Sequence, residues 1–107
     1  MLKKADRINK TRDLQKVYRL GKAVHSSALV IKFVGGERSQ AAFVVSKKVS
    51  KKAVERNRIK RVLREVFRLS LAQRKKGRYL IMVKPTAAKL KAQELRVEIS
   101  KALDKIR

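Results

Sequence analysis

The sequence predicts an α+β fold: a small mixed sheet of three to four strands with helices packed on it, in the order α-β-β-(β)-α-β-α. Three observations lead there. Apolar residues recur at helical spacing near the start, in the middle and at the end of the chain. Runs of β-branched and aromatic residues fall between these stretches. Gly21, Gly35, Gly36, Gly77 and Pro85 punctuate the joins.

Taken in order, residues 1–10 are basic and patternless and read as a flexible or loosely docked arm. Thr11 is a good N-cap and Asp13 suits a first turn. Leu14, Val17 and Tyr18 share a face, and Gly21 stops the helix. Tyr18 serves equally well as a core residue. A strand near Val24 is possible. Residues 28–34 (Ala-Leu-Val-Ile-Lys-Phe-Val) and 41–45 are apolar runs either side of Gly35-Gly36-Glu37, which predicts an antiparallel hairpin. Residues 47–70 read as one long helix broken at Gly77, and 78–84 as a buried strand ending at Pro85. Leu95, Ile99, Ala102, Leu103 and Ile106 fall on one face of a closing helix that begins between Thr86 and Gln93.

A chain of 107 residues has room for one domain, 1–107, with a modest core. Its 31 Lys and Arg against 8 Asp and Glu give a net charge of +23, well above the roughly 2 to 8 that suits a small soluble domain. Such a field opposes folding and concentrates polyanions, so it implies an anionic partner, nucleic acid foremost. The absence of Cys excludes disulfides, thiolate metal sites and Cys nucleophiles. The N-terminus leads into no apolar stretch, and the longest apolar run, Tyr79 to Val83, is too short for a bilayer. The expectation is a cytoplasmic protein.

Charge is densest in the middle. Lys47, Lys48, Lys51, Lys52, Arg56, Arg58, Lys60, Arg61 and Arg64 stand against the single Glu55. With Ser50 as cap, Ile59, Val62, Leu63, Val66 and Leu69 make an apolar stripe. Arg56, Lys60, Arg64 and Arg68 stack at four-residue intervals on the other side, with Asn57 and Arg61 in that same face. Like charges at this spacing, and Lys51 and Lys52 in a first turn, each weaken an isolated helix by a few tenths of a kcal/mol. Phosphates relieve both penalties, and Asn57 adds a neutral donor and acceptor for a sugar hydroxyl or base edge, a mixture suited to folded RNA. The competing reading is a merely solvated charged face. A DNA-groove helix lacks its dimerising heptads, zinc ligands or helix-turn-helix partner.

Residues 53–65, Ala-Val-Glu-Arg-Asn-Arg-Ile-Lys-Arg-Val-Leu-Arg-Glu, resemble the RNR signature of the bacterial ribonuclease P protein subunit family. The likeness extends to Phe43-Val44-Val45-Ser46-Lys47-Lys48 upstream and to residues 13–22 in the first helix, so it covers nearly the whole chain. It implies an α/β sandwich whose strands before and after the RNR helix are parallel, joined by a left-handed crossover, where general topology favours right-handed. It also implies a subunit that joins a catalytic RNA in a ribonucleoprotein that removes the 5′ leader from precursor tRNA. In that case the RNA does the chemistry and magnesium acts through the RNA. By position match, Arg56, Asn57, Arg58, Lys60, Arg61 and Arg64 contact the catalytic RNA. Lys47 and Lys48 extend that surface, and the charge pattern adds Lys51, Lys52 and Arg68. The leader is expected in a cleft between the first helix and the sheet, at Leu14, Tyr18 and Lys32. There the chain departs from the family pattern, with Leu14 and Lys32 at positions often aromatic and Ala42 at a frequent Gly. Phe33 and Phe43 are candidates to compensate, with plain core packing the alternative.

Protein-based catalysis lacks its parts: His25, the only histidine, reads as a surface or turn residue, and the acids are scattered. The subunit is expected to be monomeric within the ribonucleoprotein and to bind no membrane. The competing function that composition allows is a small basic ribosomal or general RNA-packaging protein.

Overall fold

The computed structural model describes residues 7, 8, 11–70 and 74–106. Helix α1 (Thr11–Leu20) leads into strands β1 (Lys22–His25), β2 (Leu29–Gly35) and β3 (Gln40–Val44). Helix α2 (Ala53–Ser70), strand β4 (Gly77–Val83), a short 3₁₀ turn (Pro85–Lys89) and helix α3 (Ala92–Asp104) follow. The fourth strand at Val24 and the α+β order are as predicted. Apart from the start of α2, element ends fall within a residue or so of expectation, with α1 including Thr11 rather than being capped by it.

The four strands lie in the order β1-β2-β4-β3. β1 and β2 pair antiparallel, β2 and β4 pair antiparallel, and β3 and β4 run parallel. The expected hairpin between residues 28–34 and 41–45 is therefore not formed, because β4 is inserted between its two strands. Tyr79, Leu80, Ile81 and Val83 are all buried, so β4 needs cover on both faces and takes an interior slot, which displaces β3 to the edge. Neither does Gly77 end the helix. It opens β4 at φ +155°, where a Cβ would lie 2.3 Å from the Val34 carbonyl oxygen, a conformation and an approach that only glycine accommodates.

Strand alternation splits the core into two layers. Leu29, Ile31, Phe33, Tyr79, Ile81 and Val83 face α2 and α3, where they meet Ile59, Leu63, Phe67, Leu95, Ile99 and Leu103. Leu80, with half-buried Val34, Ala42 and Met82, faces α1 and meets Val17, Leu14 and Ile8. Ile8 also donates its backbone N–H to the Ala41 carbonyl at 3.0 Å, so the chain is docked on β3 at that point. The rest of the predicted N-terminal arm, residues 1–6, 9 and 10, lies outside the described residues. Asp13 pairs with Arg78 at 3.5 Å and so fastens α1 to β4.

Phe33 and Phe43 belong to the α2 side. Phe33 stacks tilted on Tyr79 with centroids 4.7 Å apart, and Phe43 meets the edge of Phe67 at 6.0 Å. Both are turned away from the α1 cleft, so neither makes up there for its missing aromatics. Burial raises the Tyr79 phenol pKa, only partly offset by Arg74, and its hydroxyl donates to the Lys75 carbonyl. No helix among the described residues is long and apolar enough to cross a membrane.

Candidate nucleic-acid interface

The segment leading into α2 repeats Val-Ser-Lys-Lys: residues 45–48, then 49–52. Val45 and Val49 are both buried, and Val49 closes a turn by donating to the Ser46 carbonyl at 3.0 Å. With the valines anchored, Lys47, Lys48, Lys51 and Lys52 are all left exposed. This stretch is not the first turn and a half of a long helix, as expected, because helix begins only at Ala53. Burying Val49 through a tight turn and continuing a helix through the same residues are incompatible.

Ser50 consequently does not cap α2 at its first turn, although it still braces it. Its hydroxyl donates to Glu55 Oε2 at 2.7 Å and accepts the Lys52 N–H at 3.2 Å. Lys51 and Lys52 precede the helix, and the first turn carries Glu55, which favours the positive end of the helix dipole.

Within α2 the burial order corrects the predicted stripe in one place. Ile59, Val62 and Leu63 are buried and Val66 is partly so, but Leu69 is 67% exposed and Phe67 fills the core position instead. At 100° per residue that rotation of the inward face rotates the outward one too. Asn57, Arg61 and Arg68 are exposed and Arg64 is half-buried, and with Val54 and Glu65 they line a shallow recess of about 540 Å³. Lys60 and Arg58 are half-buried flankers.

Arg56 differs from the rest of that row. It points back along the chain, its Nη1 donating at 3.0 Å to the carbonyls of both Ser50 and Lys51. Its guanidinium thus holds the lysine-bearing turn against the helix. By contrast, the guanidiniums of Arg61, Arg64 and Arg68 make no ion pair or hydrogen bond among the described residues. Three uncompensated charges within two turns of helix form a surface that favours polyanions.

On the opposite face of the sheet, α1 and the β3–β4 pair enclose a second hollow of about 650 Å³. Leu14, Gln15, Tyr18, Arg19, Val44, Leu80 and Met82 line it. Tyr18 is 54% exposed, which sets aside its core reading. Lys32 lies against it: Nζ is 4.0 Å above the ring centroid and donates to the Tyr18 carbonyl at 2.7 Å. Leu14, Tyr18 and Lys32, 18 positions apart at the extremes, are thereby brought together. Gln15, Arg19, Val44 and Met82 were not singled out from the sequence. The signal for the last two was strand alternation, which sends Val44 and Met82 to the side away from Phe43 and Ile81. Val44 is also where the hollow meets the lysine turn, since Val45 to Lys48 follow it directly.

His25 is exposed at the end of β1. Among the described residues there is no group of three or more His, Asp or Glu that could hold a metal ion.

An α/β sandwich with an acid-poor, guanidinium-lined helix on one face and an aromatic-edged hollow on the other defines a class: small basic RNA-binding proteins. The Ribonuclease P family model matches residues 2–107. A ribonuclease P protein component from a Pseudanabaena species is 38% identical over 109 residues, covering 98% of this chain and 94% of the relative. One from a Nitratiruptor species is 36% identical over 96 residues, covering 90% and 87%. The solved structure of the Staphylococcus aureus RNase P protein superposes with a TM-score of 0.89 at 26% identity, covering 95% of each chain. The chain belongs to the bacterial ribonuclease P protein component family, RNA-binding subunits of a tRNA-processing holoenzyme. That membership displaces the ribosomal or RNA-packaging alternative.

Proposed function

We propose that this subunit grips the catalytic RNA with the outward row of α2 and the lysine turn before it, and receives the precursor's 5′ leader in the Tyr18 hollow. The RNA contacts are Asn57, Arg61, Arg64 and Arg68, flanked by Arg58 and Lys60 and extended by Lys47, Lys48, Lys51 and Lys52. Arg56 contributes mainly by fixing the turn. The observation that carries the reading is the set of three arginines without anionic partners, which phosphates satisfy bidentately.

In the hollow, a leader base stacks on Tyr18 while Lys32 and Arg19 meet its phosphates and Leu14, Val44 and Met82 supply the apolar wall. Both surfaces converge at the end of β3, so one small protein neutralises phosphate repulsion where leader and catalytic RNA approach each other. The RNA holds the magnesium ions and performs the cleavage. The protein acts as a monomer in the cytoplasm.

Reconstitution tests this. The protein alone should leave precursor tRNA intact. Added to a bacterial ribonuclease P RNA at limiting magnesium, it should restore leader removal. Failure to stimulate cleavage there would remove the reading.

A further inference from the structure

The helix and the turn before it account for only part of the positive charge. At the β1 edge of the sheet, as far from β3 as the order allows, lies a third hollow of about 520 Å³. Three lysines from distant parts of the chain surround it: Lys22 at the start of β1, Lys75 before β4, and Lys105 after α3. No acid lines it. Asp104, the neighbour of Lys105, is engaged by Arg74. The floor is apolar, made by Val24, Phe33 and Ile106, with Lys75 Nζ 6.0 Å from the Phe33 ring centroid. Leu20, the last residue of α1 and 66% exposed, forms one wall.

The place is open for a structural reason. β2 runs two residues past the start of β1, since Lys22 pairs with Phe33 and β2 continues to Gly35. The backbone edge of Val34 and Gly35 on that side therefore has no strand beside it. An open edge with an apolar floor and a rim of ammonium groups suits a polyanion that also exposes flat apolar faces. Single-stranded RNA has both, whereas a duplex hides its bases.

The end of α1 connects this groove to the Tyr18 hollow: Tyr18 and Arg19 line the hollow, and Leu20, the next residue, lines the groove. Strand alternation sends Lys32 to the α1 side and Lys22, paired with Phe33, to the other, so an RNA strand leaving Tyr18 turns round the open edge of β2 to reach the lysine rim. The α2 surface, in contrast, packs over β3, three strand spacings or roughly 14 Å across the sheet. We propose that the β1-edge groove holds the upstream continuation of the leader, with its phosphates on Lys22, Lys75 and Lys105 and its sugars and bases on the floor.

This rests on the leader reading of the Tyr18 hollow and is separable from it. The test uses holoenzyme reconstituted with Lys22→Ala/Lys105→Ala protein. Both side chains are exposed, and circular dichroism confirms the fold. Affinity is measured against salt for two precursors, one with a leader just long enough to fill the Tyr18 hollow and one with a longer leader. With the long leader, the slope of log affinity against log salt should fall by about two, one for each phosphate contact removed. With the short leader it should not change. A Tyr18→Ala holoenzyme should lose affinity for both precursors; if it does and the double variant shows no leader-length effect, the groove proposal alone is overturned. Equal loss with short and long leaders, or weakened binding of the catalytic RNA by itself, also overturns it, since the groove would then serve another RNA.

Discussion

The Arg56 guanidinium and the Ser50 carbonyl are joined by a hydrogen bond of 3.0 Å, and the same nitrogen reaches the Lys51 carbonyl. An arginine in the middle of a basic signature is thus spent on shaping the chain beside it, while Arg61, Arg64 and Arg68 further along the helix make no ion pair or hydrogen bond among the described residues. This separates two kinds of arginine within one helix, and the separation is measurable.

Arg56→Ala should destabilise the fold by about 1.5 kcal/mol, the low end for bonds from a charged donor because the side chain is partly exposed. RNA affinity should drop as well, since four lysines lose their fixed positions. Arg64→Ala should leave stability within roughly 0.5 kcal/mol and reduce the salt slope of RNA binding by about one. Urea unfolding and binding titrations on the two variants distinguish them. Identical profiles would contradict the assignment.

Tyr18→Ala should cost about 1–3 kcal/mol of affinity for precursor tRNA through lost stacking. Binding of mature tRNA, which lacks the leader, should not change, and Tyr18→Phe should behave like the original. Equal losses for precursor and mature tRNA would place the effect outside the leader.

Gly77→Ala should destabilise by about 3 kcal/mol, at the upper end for a strained backbone, because the added Cβ meets the Val34 carbonyl at 2.3 Å. Gly35→Ala, with nothing within 4 Å of its Cβ, is the control and should stay within about 0.5 kcal/mol. Thermal unfolding reads both.

Much of this architecture was legible from residue patterns. Periodicity located α1, α2 and α3, because each buries one face, and β-branched runs located β2, β3 and β4. Strand order was not legible: a Gly-Gly turn between two apolar runs satisfies a hairpin locally, and only the demand of β4 for cover on both faces decides against it. The start of α2 was misplaced for a related reason. Val45 and Val49 are spaced as on a helix, yet they anchor a turn. Leu69 and Phe67 are two residues apart and equally apolar, and the choice between them was settled by the aromatic cluster with Tyr79 and Phe43, which spans the sheet. At the candidate site, charge density marked the right helix, but the direction of Arg56 depended on carbonyls exposed by that unforeseen turn. The Lys32–Tyr18 contact joins residues from two elements whose packing no local pattern states.

On the proposed function, Arg61, Arg64 and Arg68 take phosphate. The direct measurement is RNA affinity against salt for a triple variant, Arg61→Gln/Arg64→Gln/Arg68→Gln, alongside precursor cleavage at limiting magnesium. With its circular dichroism unchanged, the variant should show a salt slope smaller by about three and should fail to rescue cleavage. A folded triple variant that binds its RNA and supports processing as well as the original protein would contradict the account.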